Sequence, residues 1–338
     1  MRVLYGIQGT GNGHLSRSHT LATYLSQQPI HVDYLISGRR NSGLFDMDVF
    51  GAYQSREGLS FVTENGALKR RKTLISNNWR QFYNDVKALD VTQYDLVITD
   101  YEPVSAWAAK RTGVRSIGLG RQYAFWEPEL YKTLSLWQRQ MIKQFAPCST
   151  PVGMHWLECG NAIPPVVREP DNGCKGGLAQ RVIVYLPFED PKVIINALYP
   201  LDDYEFSVFH PKLTQCSYGH IECFAPSRQQ FSEQFSRASA VISNAGFETS
   251  CEALREGKSL IIKPLTGQFE QQKNAEILER KGLATVMKNV SCASIERALQ
   301  ERQSAYMQWP NVAKHLANWI ADGAKESVRD LSKRLWGL

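Results

Sequence analysis

The chain has 338 residues, of which 43% are hydrophobic and 21% charged, and it carries a net charge of +6. That balance is ordinary for a globular protein and too weakly basic to argue for a nucleic-acid partner, and the length suggests about two domains. No apolar run of about 18 residues and no charged-then-apolar leader is present, so a cytoplasmic protein without a membrane span is expected. Seven cysteines, odd in number and with no Cys-x-x-Cys pair, suit reduced thiols better than disulfides or a zinc site.

In chain order, a short apolar run at 2–7 reads as a buried strand. Gly9, Gly11 and Gly13 then force a tight loop that ends at His14, and Leu15, Leu21, Ala22 and Leu25 mark one face of a helix over 14–28. Strand, glycine loop and helix form a mononucleotide-binding geometry, with helix N–H donors available to an anion. The loop has no Gly-Lys-Ser/Thr, and His14 stands where a dinucleotide fingerprint has its third glycine. A titratable imidazole in that place points to chemistry rather than cofactor docking.

Further strands are expected at 31–36, 94–99 and 115–119, and helices at 73–90 and 103–112, the latter opening with Pro103. Pro164, Pro165, Pro170, Gly173, Gly176 and Gly177 then crowd together, which places a linker over 161–178. The second half restarts with a strand at 181–186 and a helix from Pro191. Strands at 205–209, 240–242, 260–262 and 284–287 follow, separated by helices at 228–237, 247–256, 270–281 and 292–302. The reading is an α/β protein of two doubly wound, parallel, Rossmann-like domains facing across a cleft. The domains are 1–160 and 179–308, with two terminal helices in 309–338 packing back across them.

A second anion site is expected where the strand ending at Ser243 runs through Asn244 and Ala245 into a helix starting near Gly246. Glu252 lies two turns inside that helix, and Glu270, Gln271, Asn274 and Ala275 open a later one. These side chains would bring acceptors suited to ribose and sugar hydroxyls.

With the Gly-Asn-Gly-His loop, these motifs resemble the inverting GT-B glycosyltransferases, in particular the UDP-glycosyltransferases and the MurG group (glycosyltransferase family 28). A bacterial and archaeal branch with Ser-Asn-Ala-Gly-Phe-Glu is nearest. The resemblance implies a sugar transfer from a nucleotide diphosphate sugar, a UDP-sugar first, to a hydroxyl acceptor, with a lipid-linked or cell-envelope glycan as one candidate. It implies His14 as general base on the acceptor and Asp100, closing the strand 95–100, as the residue orienting it. Ser243, Asn244, Ala245 and Gly246 would hold the diphosphate, Glu252 the ribose, and Glu270 and Gln271 the donor sugar. No metal and no cofactor are implied, since the nucleotide sugar is a substrate. The N-terminal loop departs from the Gly-Gly-Thr-Gly-Gly-His of MurG, and the long plant-type donor signature is absent.

Simpler readings stand beside these. Asp100 could merely cap the next helix, with Glu102 a lesser candidate for its catalytic place. Glu248 and Glu252 could form a solvated helix face. Lys69–Lys72 is either a solvated loop or a contact for a phosphorylated or membrane-surface acceptor, which would put the protein peripherally at the inner membrane face. Tyr123, Phe125 and Trp126 suit either an acceptor groove or a core, and Trp137 reads as core. The last helix, with Leu331, Leu335 and Trp336, reads as packed back on the domains. A nucleotide-sugar 2-epimerase and an inactive nucleotide-binding accessory protein are the competing functions.

Overall fold

The computed structural model describes residues 1–39, 44, 46–169 and 178–338. The chain divides into two compact units. The first holds Met1–Phe61, Arg71–Arg168 and Trp309–Leu338, and the second holds Val62–Arg70 and Glu169–Gln308.

The first unit opens with β1 (Arg2–Gln8), α1 (Asn12–Leu25), β2 (His31–Ser37) and β3 (Tyr53–Arg56). After the short strands β4 (Thr63–Glu64) and β5 (Ala67–Leu68), which belong to the second unit, come α2 (Arg70–Ser76), α3 (Trp79–Ala88) and β6 (Leu96–Asp100). The unit continues with α4 (Pro103–Thr112), β7 (Ser116–Gly120), the short helices α5 (Arg121–Ala124) and α6 (Pro128–Tyr131), α7 (Leu136–Phe145) and β8 (Thr150–Gly153). Its six strands pair in parallel in the order β3-β2-β1-β6-β7-β8. Helices cover both faces, so the central strands are continuous apolar runs, with Val3, Leu4, Tyr5 and Ile7 fully buried. Gly6 is needed there because a Cβ would overlap the Ser105 side chain and the Glu102 carboxylate of the following βα turn.

The single helix expected at 73–90 is two helices. Asn78 caps α3 by accepting from Gln81 N at 3.1 Å. Asn77 exchanges bonds with the Ser60 backbone, receiving from its N–H at 2.8 Å and donating to its carbonyl at 2.9 Å. Short amide side chains compete with the helix ladder in this way, which breaks the helix. The edge strands β3 and β8 were not expected from the sequence. Each is four residues long and lacks an apolar run, and Pro151 is tolerated because β8 is an edge.

The second unit contains β9 (Leu178–Tyr185), α8 (Pro191–Leu198), β10 (Glu205–Phe209), β11 (Cys216–Tyr218), β12 (Ile221–Phe224) and α9 (Arg228–Arg237). It continues with β13 (Ala238–Asn244), α10 (Phe247–Arg255), β14 (Ser259–Lys263), α11 (Phe269–Arg280), β15 (Thr285–Val286) and α12 (Cys292–Glu301). The strand order is β11-β12-β10-β9-β13-β14-β15. All pairs are parallel except β11 with β12, an antiparallel edge hairpin that the all-parallel expectation lacked. The β4–β5 hairpin joins this unit through Gly66, whose N–H donates to Phe188 O at 2.8 Å and whose carbonyl accepts from Thr266 N at 2.9 Å.

The chain then returns to the first unit as α13 (Val312–Ala321) and α14 (Val328–Trp336). Leu331 and Leu335 are buried, and Trp336 Nε1 donates to Ala162 O at 2.8 Å. The first part of the expected linker is therefore packed. Ala162, Ile163 and Val166 are almost wholly buried because their apolar side chains outweigh the local prolines. Its remainder at 170–177, with Cys174, lies outside the described residues. Among the described residues no helix is long and apolar enough to cross a membrane.

Candidate active site

In each sheet the first strand has its successors on one side and a later strand on the other. The order reverses between β1 and β6 in the first unit, and between β9 and β13 in the second. Doubly wound sheets bind ligands outside the carboxyl ends of the strands at such a switch point. The Gly9–His14 loop and Asp100 lie at the first of these edges, and Ser243 to Gly246 lie at the second.

At the first edge, α1 begins at Asn12 with Gly11 as its N-cap. His14, Arg17 and Ser18 are spaced i, i+3 and i+4 and so share one face of α1. All three converge on Asp100, the last residue of β6. His14 Nδ1 lies 2.7 Å from Asp100 Oδ1, and Ser18 Oγ donates to Oδ2 at 3.0 Å. Arg17 grips both carboxylate oxygens, through Nε to Oδ2 at 3.0 Å and through Nη2 to Oδ1. Behind Ser18, the Tyr5 hydroxyl lies 2.9 Å from its Oγ and is the donor of that pair when Ser18 donates to Asp100.

Asp100 is fully buried, and burial works against its charge. The Arg17 guanidinium, and after it His14, outweigh that effect and hold the carboxyl at about 2. An ionised carboxylate only accepts, so the proton between the two residues belongs to His14 Nδ1. When the imidazole is neutral, the other ring nitrogen, Nε2, is the acceptor. Arg17 Nη2 stands 3.1 Å from Nδ1, but both atoms are donors in this tautomer and that contact is proximity only.

The capping role considered for Asp100 falls to its neighbour. Glu102 accepts from Val104 N and Ser105 N at 2.7 Å each and caps α4, and burial raises its pKa. Between them Tyr101 has φ +53°, an unusual conformation for a residue with a side chain. Its ring is held by stacking on Phe145 at 4.9 Å and by an edge contact with Tyr123 at 5.7 Å. Arg17 and Ser18 were missed in the sequence reading. Their signal was the spacing from His14 on a helix otherwise read only for its apolar face.

At the second edge, Ser243 and Asn244 close β13 and Gly246 is the N-cap of α10, with no side-chain cap bond. The N-terminus of α10 therefore lies at this edge, where the helix dipole suits an anion. The turn is tied down from three sides. Asn244 Nδ2 donates to Lys263 O at 3.0 Å, Asn274 Nδ2 to Ala245 O at 3.1 Å, and Ser250 Oγ to Gly246 O at 2.7 Å. Asn244 Oδ1 is buried without a partner among the described residues. An orphaned acceptor of this kind costs about 1–3 kcal/mol, and a ligand donor would relieve it.

Glu252 is partly exposed on α10, whereas Glu248 is buried and does not belong to a solvated face. Glu270 is partly exposed in the first turn of α11. Gln271 is buried, and its Oε1 accepts from Leu265 N at 3.0 Å, which leaves its amide NH2 as the group able to serve a ligand.

Other singled-out residues take simpler places. Tyr123 and Phe125 are core residues, Trp126 is partly buried, and Trp137, expected in the core, is 57% exposed because α7 buries only Ile142. Arg71 and Lys72 are exposed at the start of α2. Burial pushes the Cys148 and Cys223 thiols up to about 12, which removes them as nucleophiles at neutral pH. Among the described residues no group of three or more His, Cys, Asp or Glu could hold a metal ion.

Two doubly wound units, each with a ligand edge at its switch point, define the GT-B fold of glycosyltransferases. The structure is similar over 100% of both chains to the glycosyltransferase SsfS6 of Streptomyces sp. SF2575, solved with thymidine diphosphate, at TM-score 0.60 and 14% identity. SnogD from Streptomyces nogalater is similar at TM-score 0.54 and 14% identity, over 99% of this chain and 96% of that one. The calicheamicin glycosyltransferase CalG4 is similar at TM-score 0.57 and 14% identity, over 100% and 98%. No curated protein matches the sequence. Residues 1–301 match the family described as glycosyl transferase family 1, and the chain belongs to that family. It is a glycosyltransferase of the GT-B type.

Proposed function

We propose that the protein is an inverting glycosyltransferase, transferring a hexose from a nucleoside diphosphate sugar to an acceptor hydroxyl. The observation that carries this reading is the His14–Asp100 pair, an imidazole oriented by a buried carboxylate. His14 Nε2 takes the hydroxyl proton as the acceptor oxygen forms its bond to the anomeric carbon. The bond from that carbon to the diphosphate oxygen breaks, and the electron pair leaves with the nucleoside diphosphate. Asp100 stabilises the imidazolium formed, the logic of a base with an orienting partner. The diphosphate gains charge in the transition state, so the N-terminus of α10 at the Ser243–Gly246 turn helps most at that moment.

That helix terminus lets the reaction proceed without a divalent cation, and the nucleotide sugar is a substrate, so no cofactor is needed. We keep the UDP-glycosyltransferase and MurG kinship as part of this reading, on the Gly-Asn-Gly-His loop and the Ser-Asn-Ala-Gly turn. UDP is the first candidate nucleotide, and thymidine diphosphate, present in the SsfS6 structure, is the second. A lipid-linked or cell-envelope glycan is the acceptor class we favour, with the protein in the cytoplasm or at the inner membrane face.

In this reading Glu252 receives the ribose diol. Glu252→Ala should weaken binding of the matching nucleoside diphosphate by roughly ten- to a hundredfold, since a charged hydrogen bond is worth ~1.5–3 kcal/mol. Calorimetric titration of wild type and variant checks this, and equal affinity would remove Glu252 from the donor site.

A further inference from the structure

Beside the diphosphate turn lies a buried ion pair that the proposed reaction does not use. Lys263, the last residue of β14, is the register partner of Asn244, the last of β13. Its Nζ lies 2.6 Å from Glu189 Oε1, and the two side chains are only 9% and 10% exposed. Glu189 follows β9, the strand on the other side of β13. The pair therefore spans the two loops that flank the turn, at the edge where a doubly wound sheet takes its ligand.

The β4–β5 hairpin completes the arrangement. The Gly66 carbonyl is 3.5 Å from Lys263 Nζ, and a Cβ at Gly66 would overlap both the Glu189 carboxylate and the Lys263 ammonium. Gly66 also has φ +68°, so this contact requires glycine twice over. Its backbone bonds to Phe188 and Thr266 knit the same two loops together.

A buried ion pair is seldom more stabilising than an apolar pair of the same size, so stability alone does not explain it. Its position does. A diphosphate carries more negative charge than helix amides offset, and a lysine at the strand end supplies a point charge for phosphate. The geometry points to Lys263 as a further donor-binding residue that meets the diphosphate, held at the edge by Glu189 and the Gly66 carbonyl. The inference rests on the nucleoside diphosphate reading above.

The test compares, by calorimetry on the full chain, how much affinity rises from uridine to UDP and from thymidine to thymidine diphosphate. Lys263→Met alone would strand the Glu189 charge, so Lys263→Met is paired with Glu189→Gln, and Glu189→Gln is also made alone. Thermal unfolding verifies that each variant is folded. The double variant should lose at least tenfold of the gain contributed by the diphosphate and keep its nucleoside affinity. Glu189→Gln should keep that gain, because the lysine remains. An undiminished gain in the double variant, or its loss in Glu189→Gln, overturns the assignment. A wild-type protein that binds neither diphosphate would instead overturn the donor reading itself.

Discussion

His14→Ala should lower turnover by ~10²–10⁴-fold, the usual contribution of a positioned general base, while leaving the fold and nucleoside diphosphate affinity nearly unchanged. The imidazole side chain is 17% exposed, and Asp100 keeps its bonds from Arg17 and Ser18 when His14 is removed. No buried charge is left alone by the substitution. The turn assigned to the diphosphate lies in the other unit, so donor binding has no reason to change. The check is the rate of nucleoside diphosphate release from a nucleotide sugar in the presence of acceptor, measured alongside a binding titration. Full turnover in the variant would reduce His14 to a loop residue.

Asp100→Asn acts on stability as well as activity. Arg17 is almost wholly buried against Asp100, and removing its partner's charge leaves a buried guanidinium uncompensated, a loss of roughly 3–5 kcal/mol. The carboxyl is lowered in the fold from its ordinary 3.8 to about 2. A group lowered in this way adds stability above its unfolded pKa and loses it as pH falls through the folded value, here between about pH 4 and pH 2. The shift corresponds to about 2 kcal/mol. Urea unfolding of wild type and variant from pH 7 to pH 3 should show a gap that is full at neutral pH and narrows below about pH 4. A gap that is absent at pH 7 would contradict the buried Arg17–Asp100 pairing. Activity should also fall, since an amide can neither fix the tautomer nor stabilise the imidazolium.

Much of this arrangement was legible in the sequence, and the parts that were not have physical causes. Apolar runs such as Val3–Ile7 and Val182–Tyr185 announce buried parallel strands because both faces are covered. The glycine loop and the Ser-Asn-Ala-Gly turn announce the strand-to-helix edges. Short edge strands such as Tyr53–Arg56 carry no such signal, since their pairing is set by neighbours distant in sequence. Within the site, His14 and Asp100 stood out as residue types, but Arg17 did not. A buried arginine looks like a surface one until a carboxylate 83 positions away is seen to need it. The same holds for Lys263, to which the loop after β9 brings Glu189 and the β4–β5 hairpin brings Gly66. Glu102 shows the converse, a conspicuous acid whose work is to cap a helix.

The central claim is that the second unit holds a nucleoside diphosphate without a metal ion. Thermal unfolding of the EDTA-treated protein with UDP, and separately with thymidine diphosphate, tests it most directly, because a ligand bound only by the native state raises Tm with concentration. A saturable rise with at least one of the two, unchanged when Mg2+ is added, is the predicted result. No rise with either nucleotide, or a rise only when a divalent cation is supplied, would contradict it.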